Sequence, residues 1–279
     1  MAPTVAELVS NTMAHVSLPS VVARLSNVRE DPQSTPQEIA EVISDDVVLT
    51  AKLLRVVNAA IPDGVNRVNT VDQAVTRFGV DFVVRVILAT AVKRYFQNVP
   101  EGMDGALLWT HSLACAVGAG ELATRAGSPN PDRAFVAGLL HDVGTVGLYL
   151  GHPKRAALAR EAAITERKPL HVSEQELWGY DHAGVGLALV RMWGLCDEIE
   201  EAVALHHTLD VEATYPVSTA AVQVSDALAH VLLMGSGAVP CVPPVSRRAW
   251  RTLSVAADDI PTILRDLENN YARLALVLD

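Results

Sequence analysis

Aromatic side chains are scarce in this 279-residue sequence, at 5%, and cysteine occurs only three times. Half of the residues are apolar, mostly Ala, Val and Leu. That balance disfavours a sandwich or barrel core and suits close-packed helices. No alternation of apolar and polar residues bounded by hairpin turns occurs, so the signature of strands is missing. Cys115, Cys196 and Cys241 stand at unrelated spacings with no C-x-x-C, which suits a reducing compartment. There is no run of five or more basic residues, and 22 basic against 32 acidic side chains leave a net charge of −10. Such a surface repels nucleic-acid backbones and anionic membranes, so neither is an expected partner. The opening MAPTVAELVS has neither the basic nor the apolar part of a signal peptide. The uncharged stretch at 227–246, ALAHVLLMGSGAVPCVPPVS, turns to Gly, Ser and Pro after Met234 and reads as a helix end plus a loop, not a membrane span. A cytoplasmic location is expected.

Helix-start signals are plentiful. Thr35-Pro36-Gln37-Glu38 has a Thr cap, Pro at the first helical position and Glu at the third. Thr70-x-x-Gln73 repeats the pattern, and Gly79 ends that short helix. Residues 81–96 follow as a largely buried helix. Asn130-Pro131 opens another, expected to run through His141-Asp142 to Gly144. Asp181 precedes a helix stopped by Gly194, and Asp197-x-x-Glu200 opens the next. The tail ends in an amphipathic pattern, DDIPTILRDLENNYARLALVL. The expectation is an all-α protein of two lobes: an N-terminal helical lobe over 1–100, a histidine-rich lobe over 101–235, and a C-terminal loop and helix over 236–279 packing on the second lobe.

Eight of the nine histidines lie at or after residue 111. Several sit in helices too apolar to leave an ionisable group unpaired without cost. His111, His141, Asp142, His182, His206, His207 and Asp226 form this set. Placed in a last helical turn, His141 and Asp142 would meet the partial negative charge of unpaired carbonyls, which favours a bound cation. Mixed imidazole and carboxylate donors suit iron, manganese, zinc or nickel better than magnesium or calcium. Seven donors exceed the needs of one ion, so one or two divalent ions are expected, with Asp142 as the bridge. Each residue also has a plainer explanation. A lone histidine is more often a hydrogen-bonded core residue. His182 can serve a helix start beside the Asp181 cap, and His207 can be the solvated member of its pair. Cys115, one turn after His111, reads as small-residue packing. Trp109, Trp178 and Trp193 read as core anchors, and Glu30-Asp31 and Asp258-Asp259 as solvated charges. His15, His152, His171 and His230 have no support as ligands; His152 and His171 are expected to be exposed.

The order His…His-Asp…His…His-His…Asp resembles the HD superfamily of metal-dependent phosphohydrolases. Over about 200 residues the chain is similar, more specifically, to the HDOD family of HD-related output domains in bacterial signalling proteins. LPSVVARLSNVREDPQSTPQEIAEVISDDVVLTAKLLRVVNAA, NTVDQAVTRFGVDFVVRVIL, LWTHSLACA, AFVAGLLHDVG and GYDHAGVGLALVRMWGLCDEIEEAVALHH follow one another in family order. The resemblance implies a two-lobed helical fold and a regulatory role more often than a catalytic one. It implies action by binding a signalling protein or a small nucleotide ligand, with the metal set kept. Set against the HD-GYP phosphodiesterases, the chain departs in ways that matter. Thr145 stands at the lysine of H-D-x-G-K, His206-His207-Thr208 at H-H-E, LDVEATYP at the G-Y-P loop, and Leu107 at an additional glutamate. These departures count against cyclic di-GMP hydrolysis. The second function implied is that of a metal-dependent phosphohydrolase acting on a nucleotide or cyclic nucleotide, with Asp142 in the catalytic role.

Overall fold

The computed structural model describes residues 4–12, 35–59, 66–97, 103–208, 212–235 and 241–278, with the isolated positions 21, 24, 25, 28, 61 and 99. It is 78% helical and, among the described residues, has no strand. His15, Glu30, Asp31 and most of the LPSVV segment lie outside the described residues, as do 209–211 at the G-Y-P position.

The early helices form where their caps place them. After α1 (Val5–Thr12), α2 (Pro36–Ser44) starts at Thr35, whose hydroxyl accepts from Glu38 N while Thr35 N donates to the Glu38 carboxylate at 2.7 Å. Then come α3 (Val47–Ala59) and α4 (Val71–Phe78). Thr70 caps α4 through Gln73 N, and Gly79, at φ +86°, ends it in a conformation that favours glycine. α5 (Val80–Gln97) is largely buried, as the uncharged run from Val86 to Val92 requires.

The second group begins with α6 (Gly105–Arg125), capped by Asp104. α6 lies along α7 (Pro131–Leu140) and α13 (Pro216–Val231). Between come α8 (Val143–Gly151), α9 (Pro153–Glu166), α10 (Leu170–Trp178), α11 (His182–Met192) and α12 (Asp197–Leu205). α8 packs on α11, while α12 joins α7, α11 and α13. α14 (Arg247–Thr252) lies on α13, and α15 (Ile260–Leu278) reaches α3, α5 and α6, touching both groups of helices. α1 packs on α8 and α11, beside the histidine-bearing helices. The expected boundaries near 100 and 235 adjoin residues outside the described set, 98, 100–102 and 236–240.

Two local expectations need correction. The helix opened by Pro131 does not continue to Gly144. It stops at Leu140, His141 closes it, and Asp142 is the N-cap of α8. The break lets α8 come close to α11, because a Cβ on Gly144 would lie 2.0 Å from the His182 carbonyl oxygen. α12 is preceded by Cys196 as N-cap, and Asp197 and Glu200 lie inside its first turn. By length and composition Pro131–Gly151 is apolar enough to cross a membrane, but 83% of that window is buried inside the protein, as α7 and α8 are core helices.

A candidate metal centre

The break between α7 and α8 organises the site. Asp142 makes no capping hydrogen bond to its own helix, so its carboxylate is free to turn inward. It lies beside the partial positive charge of the α8 N-terminus, not among the carbonyls of a last turn. Its two oxygens face different partners. Oδ2 is 3.8 Å from His111 Nε2 and 3.4 Å from His141 Nε2. Oδ1 is 3.2 Å from His182 Nε2 and 3.8 Å from His206 Nε2. A carboxylate so placed is oriented to be shared between two positions.

The donors form two groups, within each of which the ligand atoms lie within 4.8 Å of one another. The inner group is His111, Cys115, His141 and Asp226, all buried. The outer group is Asp142, His182, His206 and His207. α6 supplies His111 and Cys115, α13 supplies Asp226, the α7–α8 turn supplies His141 and Asp142, and the ends of α11 and α12 supply the rest. All seven residues singled out in the sequence therefore meet in one place. His207, half-buried, turns its ring toward the group: its Nε2 is 2.8 Å from His182 Nε2.

The imidazoles are held by their other nitrogens. His141 Nδ1 is 2.8 Å from the Gly138 carbonyl and His206 Nδ1 is 2.7 Å from the Val203 carbonyl. A carbonyl only accepts, so Nδ1 carries the proton and Nε2 is turned to the cluster. Both Nε2 atoms are buried without a hydrogen-bond partner. For His206 the lone pair is unambiguous, because burial and then the neighbouring His141 and His182 push its pKa down to about 3. An orphaned, buried, unprotonated nitrogen costs free energy unless something electron-poor meets it.

Charge in the cluster is divided sharply. Burial pushes the carboxyls of Asp142 and Asp226 up, but neighbouring imidazoles outweigh it and both end well below the usual range. Burial pushes His182 down, yet Glu174 and Asp142 outweigh it and raise it well above 6.5. His141 is likewise raised by Asp142 against burial. Burial and the adjoining imidazoles hold His207 neutral. Burial, then Asp226 and Asp142, raises the Cys115 thiol. Without a cation these histidines must hold protons between the two carboxylates; a bound ion would replace them.

Four residues outside the expected set belong to the site. Glu174, 2% exposed, accepts from His182 Nδ1 at 2.6 Å and from His182 N at 2.9 Å. It is the carboxylate partner that metal-ligating histidines commonly have. His230 Nδ1 lies 3.0 Å from Asp226 Oδ1, which lifts its pKa to about 9 against the effect of burial. Cys115 Sγ is 3.5 Å from His111 Nε2. His171, expected to be exposed in a loop, is half-buried in α10 and stacks on His207 with ring centroids 4.1 Å apart. Trp109, Trp178 and Trp193 are core residues, at 7%, 7% and 9% exposure, so none is free to serve the site. Leu107 points out, 47% exposed.

These features define a class: an all-helical domain that gathers histidines and aspartates from helix ends around one buried centre able to hold a metal ion. The sequence profile of the HDOD domain matches residues 16–209, and the chain belongs to that family. An HDOD domain protein with unknown function from Geobacter sulfurreducens superposes with a TM-score of 0.76 at 26% identity, covering 98% of this chain and 96% of that one. A candidate signal transduction protein from Marinobacter aquaeolei VT8 has the same fold at a TM-score of 0.76 and 21% identity, with 94% of this chain and 58% of that one covered. A candidate phosphohydrolase from Shewanella amazonensis SB2B does so at 0.71 and 24% identity, with 98% of each chain covered. An uncharacterized protein of Treponema pallidum (strain Nichols) is 27% identical over 197 residues, 69% of this chain and 37% of the relative. The chain thus spans little more than a third of the curated relative it matches.

Proposed function

We propose that this chain is a metal-holding regulatory output domain, which acts by binding a signalling protein or a small nucleotide. The residues fit a divalent transition ion. The buried Nε2 atoms of His141 and His206 have no hydrogen-bond partner, and each ring is already oriented by a backbone carbonyl. His111, His141, Asp142 and Asp226 would hold one ion and His182, His206 and His207, with Asp142 shared, a second. Iron, manganese, zinc or nickel suits these donors. When bound, such ions lower the pKa of water and polarise phosphoryl oxygens. Glu174 holds His182 with its Nδ1 protonated, and Asp142 presents one oxygen to each side.

One observation carries the preference for binding over hydrolysis. The cleft over the centre is lined by Thr145, Leu170, His171, Cys241 and Pro243 beside the donors, with no lysine or arginine among the described lining residues. A phosphoester substrate brings charge that phosphoryl-transfer sites commonly meet with Lys or Arg as well as metal. Thr145, 2% exposed, supplies no such cation. The second function, metal-dependent hydrolysis of a nucleotide or cyclic nucleotide, rests on the shared Asp142 and would use it to hold both ions.

The test is to purify the chain without chelator, measure its metals, and assay it with manganese, iron or zinc against a panel of nucleotides and cyclic dinucleotides. The expected result is co-purifying metal and no turnover. Hydrolysis lost on Asp142→Ala would replace the regulatory reading with the catalytic one.

A further inference from the structure

We propose that Cys115 is a thiolate ligand of the inner metal position, which makes that position selective for thiophilic ions such as zinc over manganese and magnesium. This rests on the metal-binding reading above and adds a donor to it. The spacing of Cys115 after His111 is also compatible with simple packing of a small residue between helices, so the geometry has to discriminate.

Three observations do so. Cys115 Sγ lies 3.5 Å from His111 Nε2 but 4.0 Å from Nδ1, so the sulfur faces the ring nitrogen that also lies 3.2 Å from Asp226 Oδ1. Donors around a tetrahedral zinc ion, with Zn–N near 2.0–2.1 Å and Zn–S near 2.3 Å, stand about 3.3–3.8 Å apart. Both contacts fall close to that range. Second, His141 is fully buried, its Nε2 has no hydrogen-bond partner, and it belongs to the same group of donors. With Nδ1 held by the Gly138 carbonyl, that Nε2 is the atom at which a bound ion would take the place of a proton, independently of the cysteine. Third, the turn that carries the sulfur is pinned to the helix that carries Asp226, because Ser225 Oγ donates to the Cys115 carbonyl at 2.8 Å. Gly118, one turn on, permits this approach of α6 to α13, since a Cβ there would lie 2.2 Å from Ser225 Oγ.

Sulfur changes the choice of ion. Soft thiolate donors favour zinc and its neighbours late in the first transition row, whereas carboxylate and water favour magnesium and manganese. On binding, the thiol proton passes to solvent and the sulfur lone pair goes to the ion; nothing is oxidised.

Cobalt(II), added alone to the metal-free full chain, tests this by absorption. The expected spectrum has visible d–d bands together with an intense sulfur-to-cobalt charge-transfer band in the near ultraviolet. That band should persist in the Cys196→Ser/Cys241→Ser double variant and vanish in Cys115→Ser. Cys115→Ser should also weaken zinc more than the roughly 10–100-fold that loss of an outer partner costs, and leave manganese affinity little changed. If Cys115→Ser does not fold, X-ray absorption at the zinc edge of the double variant decides, by a sulfur shell near 2.3 Å. Visible bands without charge transfer, or charge transfer that depends on Cys241, overturn the inference and leave the metal-binding reading standing. Absence of any cobalt or zinc binding overturns both.

Discussion

The inner and outer halves of the donor cluster are built to different standards. Inside, His111, Cys115, His141 and Asp226 are all buried, and Asp226 is clamped between His111 at 3.2 Å and His230 at 3.0 Å. Outside, Asp142 and His207 are only partly buried, and the cleft beyond them is bounded by Thr145, His171 and Cys241. The inner carboxylate sits in mid-helix on α13, where nothing can move without the core. The outer donors come from helix ends at Asp142, His182 and His207. A closed pocket with fixed donors selects and holds; a position open to a cleft is where a further ligand arrives. The two halves share one group, Asp142, and the comparison stands or falls on it.

Asp142→Ala should therefore have the largest effect. It removes the carboxylate between the halves, taking from His141 its nearest anion and leaving His182 with Glu174 alone. Metal should be lost from both positions, and the metal-free protein should lose about 3–5 kcal/mol, the usual cost of breaking a buried charged pair. Metal analysis with denaturant unfolding measures both. Loss of ion from one half alone would show that the carboxylate is not shared.

Much of this architecture was legible in the sequence, for reasons that can be traced. Thr35, Thr70 and Asp181 cap the helices they precede because their oxygens are followed at the right offset by free backbone donors. His111, His141 and Asp226 stand out as polar groups in apolar helices. Glu174 was hidden because VSEQELW also carries Glu176 and reads as a solvated face, and its contact with His182, eight residues on, reaches across the turn between α10 and α11. His230 did leave a signal: it sits four residues after Asp226, on the same helix face. The break at His141-Asp142 was not readable, because GLLHDVGTVGLYL is apolar on both sides and the close approach of α11 to Gly144 that accompanies it is a long-range contact.

Glu174→Gln sharpens the contrast. Glutamine preserves the shape but not the charge opposite His182 Nδ1, so the outer half should bind metal about 10–100-fold more weakly. The inner half, which Glu174 does not touch, should be unchanged. Titration with zinc would resolve one weakened and one intact phase; equal weakening of both would mean that the halves act as one unit.

The dependence on pH is a smaller effect, and its sign follows from the shifts. His141, His182 and His230 are raised, His230 to about 9. In metal-free protein they contribute stability that is complete below about 6.5, the unfolded value, and lost as pH rises through their folded values. His206 and His171, lowered to about 3 and about 4, have the opposite sense: acidification below about 6.5 protonates them in the unfolded chain first and so destabilises the fold. Asp142 and Asp226 add stability present above about 3.9 and lost as pH falls further. Metal-free stability should thus peak near the histidine value and decline on both sides. Zinc, which replaces the protons, should abolish the alkaline decline. Melting curves between pH 5 and 9 with chelator or zinc check this, and a flat metal-free profile up to pH 9 would show that the imidazolium–carboxylate pairs add nothing.

The smallest effect is expected far from the centre, and it tests whether the cluster is insulated from the rest of the chain. Thr35 caps α2 reciprocally with Glu38, at an exposed position in the first group of helices. Thr35→Ala removes the hydroxyl that accepts from Glu38 N and should cost about 1 kcal/mol. α2 packs on α3, α4 and α5, none of which carries a donor; its loss of stability should therefore leave zinc affinity within the error of measurement. A parallel loss of metal would mean that α5, which packs on both α2 and the histidine-bearing α6, passes strain from one group to the other. That outcome would make the first group of helices part of the site's support, and the halves of the cluster could no longer be compared in isolation.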